Sequence, residues 1–106
     1  MNELLKEIEE NIAGLWENER YELILGMGPD YLFSLLDKSK EPAIGKDGKY
    51  IIVEHNESHV PILRLMWMNQ STMRERDYII NEVSPFGHLT ITHDGLKLRF
   101  TNKMAD

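Results

Sequence analysis

At 106 residues, 42% hydrophobic and 28% charged, with no low-complexity tract, the chain reads as one globular domain spanning residues 1–106, not as a disordered segment or a pair of domains. It holds no cysteine, which excludes a disulfide, a zinc–thiolate site and a thiol nucleophile. The formal net charge of −6 argues against nucleic-acid phosphate as a partner and leaves a basic protein as the charge-complementary one.

Residues 2 to about 13 carry helical periodicity. Leu4, Leu5, Ile8 and Ile12 fall at offsets of three and four on one stripe, while Glu7, Glu9, Glu10 and Asn11 cover the opposite face. Asn2 suits the N-cap, and the early acidic residues suit the helix dipole. Gly14 follows the last periodic residue, where helices commonly stop. The acidic residues concentrate early, at Glu3, Glu7, Glu9, Glu10, Glu17, Glu19 and Glu22. This amphipathic start has no basic region or continuous apolar stretch, so it does not read as a signal peptide. Together with the missing cysteines it sets the expectation of a reducing, cytoplasmic location. No segment approaches the ~20 apolar residues of a membrane span. Two glycosylation sequons, at Asn56-Glu57-Ser58 and Asn69-Gln70-Ser71, are read as chance matches because the sequence shows no export signal.

After Gly14 the period changes. Tyr21, Leu23 and Leu25 alternate with Arg20, Glu22 and Ile24, as in a strand. Gly26-Met27-Gly28-Pro29-Asp30 predicts a turn. Tyr31 to Leu36 is a short apolar run that fits a strand or a helix, and a polar stretch from Asp37 to Pro42 ends it. Asp47-Gly48 reads as a turn dipeptide ahead of the β-rich Tyr50-Ile51-Ile52-Val53. His55 to His59 is a polar connection. Val60 to Trp67 alternates, with Ile62, Arg64 and Met66 on one face and Leu63, Leu65 and Trp67 on the other. Asn69 to Asp77 reads as a polar loop, after which Tyr78-Ile79-Ile80 opens a strand. Ser84-Pro85-Phe86-Gly87 is a turn, and Leu89 and Ile91 alternate with Thr90 and Thr92. Asp94-Gly95 is the clearest hairpin signal, with Leu96, Leu98 and Phe100 alternating after it.

Short strands at regular spacing predict a mainly β fold: one N-terminal helix, then an antiparallel up-and-down meander over about residues 15–103. An open meander leaves two edges with unpaired backbone groups, and closing it into a small barrel removes both. Roughly seven or eight strands give a barrel whose interior just fills with side chains or holds one small ligand. The helix then lies across one open end.

Gly14-Leu15-Trp16 places a Gly-x-Trp at the start of the first strand, directly after a short helix, and Arg99 lies in the last strand. In this order, over about residues 10 to 103, the chain resembles the calycin superfamily, the lipocalins and their small bacterial lipocalin-like relatives. The resemblance implies that Trp16 closes the barrel end and that Arg99 packs across its ring, a cation–π contact backed by hydrogen bonding. It also implies a binding protein for a small apolar or amphipathic molecule.

The residues add little catalytic chemistry. His55 and His59 are four apart, which would align them on a helix but guarantees nothing in a loop; His88 and His93, five apart, face opposite sides of a strand. No third ligand is marked, so no metal is expected. There is no Gly-x-Ser-x-Gly elbow, and Gly26-x-Gly28 is followed by Pro29, not by a phosphate-cradling run. Glu54 and Asp94 become an acid/base pair only under an assumed geometry. A non-enzymatic protein without a cofactor is therefore expected. Tyr21, Tyr31, Phe33, Tyr50, Met66, Trp67, Tyr78 and Phe100 alternate along the strands, either as core packing or as an apolar pocket with polar tips. The candidate ligand pocket is Tyr21, Tyr31, Phe33, Tyr50, Arg64, Met66, Tyr78 and Phe100. Arg64 either snorkels to solvent or meets an anionic head group, and the greater apolarity of the Leu63, Leu65 and Trp67 face favours solvent. A different class of function stays open beside this one: a small acidic interaction, inhibitor or immunity-type factor with a filled barrel. Self-association is left open.

Overall fold

A computed structural model describes residues 3–84 and 87–103. One helix, α1 (Glu3–Ile12), precedes eight strands: β1 (Gly14–Asn18), β2 (Leu23–Met27), β3 (Leu32–Asp37), β4 (Ile44–Glu54), β5 (Pro61–Asn69), β6 (Thr72–Ser84), β7 (His88–His93) and β8 (Leu96–Asn102). Each strand pairs antiparallel with its sequence neighbour, and β8 returns to β1, so the sheet is a closed up-and-down barrel. The expected N-cap at Asn2 and the Pro85-Phe86 part of the expected turn lie outside the described residues. Among the described residues no helix is long and apolar enough to cross a membrane.

Alternation decides which side chains fill the barrel. Trp16 and Asn18 of β1, Leu25 and Met27 of β2, Tyr50 and Ile52 of β4, Leu63 and Leu65 of β5, and Leu98 and Phe100 of β8 are all buried at a spacing of two. Leu5, Ile8 and Ile12 bring the apolar stripe of α1 into the same core. The helix covers the end of the barrel where β1 begins and β6 finishes, with Leu4 and Ile8 facing Pro61 and the Ile80–Val83 stretch. Trp16 locks this junction: its Nε1–H donates to the carbonyl of Ile12 at 2.8 Å, satisfying one acceptor that the end of a helix leaves open.

The seam between β1 and β8 is short, with Trp16 opposite Asn102 and Glu17 opposite Thr101. Asn18, buried although polar, reinforces it. Its Nδ2–H donates to the Arg99 carbonyl at 3.0 Å, and its Oδ1 accepts from the Tyr21 N–H at 2.7 Å. That second bond bends the chain between β1 and β2, so Tyr21 sits in the turn and the strand starts at Leu23, two residues later than the alternation predicts.

One ambiguous segment is resolved and two others differ from the sequence-based expectation. The ambiguous run at 31–36 is strand β3, paired on both sides. Asp47-Gly48 is not a turn but the interior of β4, with Gly48 opposite both Phe33 and Trp67. The residues from Ile44 to Lys49 pair with β3, and those from Gly48 to Glu54 pair with β5, so the strand hands over from one neighbour to the other at this glycine. A Cβ there would lie 2.0 Å from the Met66 carbonyl oxygen, so Gly48 reflects close backbone approach at a barrel corner, not turn chemistry. The polar stretch 69–77 is likewise mostly strand. Gln70 and Ser71, with φ of 50° and 69°, form a two-residue hairpin turn of the type that matches strand twist, and β6 begins directly after it at Thr72.

Arg64 lies on the outer wall, opposite Asp77, and its Nε–H and an Nη–H donate to the two carboxylate oxygens at 2.8 and 3.1 Å. These bonds hold the Asp77 carboxyl below the usual carboxylate range. A depressed carboxylate stabilises the fold above its unfolded pKa of about 4, and the contribution is lost as pH falls through the lower folded value. Because both partners are partly exposed, Arg64→Ala is expected to cost at most about 1 kcal/mol at pH 7. In urea titrations the difference from the parent should shrink as pH falls below about 4 and through the lowered folded value, where the carboxylate takes up its proton.

Candidate functional site

The barrel interior is filled at the helix end and open at the other. Trp16, Met27, Phe33, Ile52, Leu63, Ile80 and Leu89 pack with the stripe of α1 into continuous core. Towards the opposite end, where β2, β4, β6 and β8 begin, the side chains leave a cavity of about 330 Å³. Its walls are apolar: Leu23, Leu25, Leu35, Leu65, Ile91, Leu98 and Phe100, with the rings of Tyr21 and Tyr78. Its mouth is where the polar groups gather, at Asp37, Ser39, Lys46 and Arg76, flanked by Ile44 and Leu96.

The mouth is organised around Trp67, which shares the inward face of β5 with Leu63 and Leu65. The Lys46 ammonium lies 4.5 Å from the centre of its ring and the Arg76 guanidinium 5.9 Å, so two cations rest on one indole. Burial and the neighbouring Arg76 charge push the Lys46 pKa down. Asp37 accepts from both the hydroxyl and the backbone N–H of Ser39, and these bonds lower its pKa.

The eight candidate pocket residues do not converge. Tyr21, Tyr78 and Phe100 line the cavity. Phe33 and Tyr50 are buried in the filled half, where the Tyr50 hydroxyl donates to the Gly28 carbonyl at 2.6 Å. Burial raises the pKa of that phenol, with Tyr31 and Glu9 adding to the effect. Tyr31 is exposed on the helix side, its hydroxyl donating to Glu9 at 3.2 Å, and that bond raises its pKa. Arg64 and Met66 occupy outward positions of β5, alternating with buried Leu63 and Leu65. Arg64 therefore cannot reach a ligand in the interior, and its partner is Asp77.

The arginine contact implied by the calycin resemblance is also corrected. Gly14, at φ +146°, makes the bend from α1 into β1, and Trp16 is buried at the closed end. Arg99, however, alternates with buried Leu98 and Phe100 and is exposed on the outer wall, near Glu17 and Thr101. The Ile12 carbonyl, not an arginine, partners the indole of Trp16. A cation–tryptophan arrangement does exist in the barrel, but at Trp67 and at the opposite end.

The histidines serve local structure. His55 Nδ1 accepts from the backbone of its own loop at Glu57 and Ser58, and His59 pairs with Glu54. His93 faces inward against the ring of Tyr78 at 5.4 Å, while His88 is exposed, as their spacing predicts. Glu54 stands at the helix end of the wall and Asp94 in the β7–β8 turn at the other, so they form no acid/base pair. Among the described residues no group of three or more His, Asp or Glu side chains is placed to hold a metal ion.

No family model, curated protein or solved structure matches the chain. What the barrel can bind follows from its own geometry.

Lys46 and Arg76 were missed as site residues for one reason. Lys46 precedes the supposed turn at Asp47-Gly48, and Arg76 falls in the supposed loop at 69–77. Two steps of two back from Tyr50 reach Lys46, and one such step from Tyr78 reaches Arg76. The period that marked the tyrosines as inward thus marks the cations too.

Proposed function

We propose that this protein is a non-enzymatic, lipocalin-like binding protein that takes a small apolar or amphipathic molecule into the half of its barrel away from α1. The observation that carries this reading is the cavity of about 330 Å³, apolar along its walls and polar only at its mouth. Its volume falls at the low end of the ~300–1,000 Å³ typical of ligand sites, and the wall and mouth chemistry is that of a site using a few polar groups for orientation. The up-and-down barrel and the helix leading into a Gly-x-Trp support the lipocalin-like description, although Arg99 takes no part in it.

Thermal unfolding and native mass spectrometry against fatty acids, retinoids and porphyrins test the proposal. A ligand at a hundredfold excess over its Kd should stabilise the fold by about 2.7 kcal/mol. Leu35→Trp, which fills the cavity from a half-buried wall position, should remove that shift. If nothing co-purifies and no probe stabilises the protein, the pocket reading is wrong.

One observation favours a second reading, an acidic interaction factor: Glu3, Glu7 and Glu10 are all exposed on α1. A basic protein partner captured at low salt and released at high salt would support it.

A further inference from the structure

Two features of the cavity mouth are not needed to explain the fold. Lys46, half-buried, and Arg76, exposed at the rim, share the strand parity of the inward residues, and among the described residues neither makes a salt bridge. Three other cations do, Lys38 and Lys103 to Glu17 and Arg64 to Asp77, while Lys49, Arg74, Lys97 and Arg99 are exposed and do not line the cavity. Lys46 and Arg76 instead share the ring of Trp67, where each repels the other. Asp37 is the one carboxylate among the lining residues. It bonds the N–H and hydroxyl of Ser39 and attracts Lys46 without forming a salt bridge, and two cations to one carboxylate leave the mouth with a net positive charge.

Below the mouth the polarity ends. Leu25, Leu65, Ile91 and Phe100 form the floor, with no charged side chain to receive an ionised group. A carboxylate buried there would be unpaired, which is costly, whereas at the mouth it meets two cations.

Resting on the pocket reading above, the geometry points to a ligand class: a single-tailed amphipathic anion that enters tail first and leaves its head group between Lys46 and Arg76. An anion at this position relieves the repulsion between the two side chains and gains charge-assisted hydrogen bonds from both. The indole beneath them holds the cations in place before the ligand arrives. The small volume selects short tails, because the filled half of the barrel blocks further entry.

Isothermal titration calorimetry with three probes built on a ten-carbon chain tests this: decanoate, decanol and decyltrimethylammonium. Decanoate should bind at least tenfold more tightly than decanol, and the ammonium probe most weakly. Raising the salt to 0.5 M should weaken decanoate selectively. In Lys46→Gln/Arg76→Gln, the preference for decanoate over decanol should fall to about one. Equal affinity of the parent protein for decanoate and decanol would overturn the anion site while leaving the pocket intact. Binding of none of the three would overturn the pocket itself, and the anion site with it. The comparison among probes uses the parent protein and does not depend on the variant folding.

Discussion

Trp16→Ala should destabilise the barrel by ~3–5 kcal/mol, the range for removing a buried tryptophan. Trp16 is only 1% exposed, within the core cluster that joins α1 to the wall. The loss has two separable parts. Truncation opens a void where the helix stripe meets β1, and it also leaves the Ile12 carbonyl without its indole donor. Trp16→Phe keeps an aromatic ring but loses the donor and part of the indole volume, so it should cost less than alanine, ~2 kcal/mol. Urea midpoints at unchanged slope would measure both. A domain of this size is expected to be stable by ~5–15 kcal/mol, so the alanine variant should be partly unfolded at physiological temperature if the parent lies near the lower bound. A loss under ~0.5 kcal/mol for alanine, typical of a free surface residue, would show that the indole does not anchor the helix.

Gly48→Ala should cost ~3 kcal/mol, at the upper end of overpacking, although it adds a single methyl group. The added Cβ would lie 2.0 Å from the Met66 carbonyl oxygen and 3.1 Å from the Cα of Trp67. Backbone cannot swing aside as a side chain can, so β4 would have to part from β5 where it passes between its two neighbours. Gly45→Ala in the same strand is the control. Its Cβ would meet Leu36 Cδ1 at 3.6 Å, ordinary contact, and its effect should stay within ~0.5 kcal/mol. Equal urea midpoints for the two variants would refute the close approach at Gly48. Trp67 stands beside that contact, so Gly48→Ala should also disturb the ring on which Lys46 and Arg76 rest.

Most of the barrel was legible because one face of each strand is buried. Wherever the wall separates core from solvent, as at Leu63-Arg64-Leu65 or Leu98-Arg99-Phe100, the sequence alternates and the strand can be read. Asp94-Gly95 was legible for a local reason, since both residues take the positive φ that a tight hairpin needs, 48° and 78°. The strand portions that escaped notice are those near the mouth. Residues Thr72 to Asp77 are exposed on both faces and carry no apolar alternation, yet they are strand because β5 pairs with them. The half of β4 before Tyr50 behaves in the same way, paired with β3 and exposed or half-buried.

The candidate site follows the same division. Its tyrosines and Phe100 could be named from apolar alternation, whereas its cations lie where that alternation is absent and only their parity with Tyr50 and Tyr78 places them. Arg64 and Arg99 illustrate the converse: both sit in legible strands, and their parity with buried neighbours already puts them outside.

The sequence by itself determined an amphipathic helix ending just before Gly14, a Gly-x-Trp leading into the first strand, a meander of short strands, and the inward set of residues wherever one face is apolar. These follow from local periodicity and turn chemistry, which depend on residues a few positions apart. Only the tertiary structure decided that Gly48 lies within a strand and not a turn, that Trp16 answers to the Ile12 carbonyl and not to Arg99, and that the interior is filled at one end and open at the other. Those features depend on which backbones meet across the closed sheet, and on how side-chain volumes from distant strands sum within it. Neither is encoded in any short window of the chain.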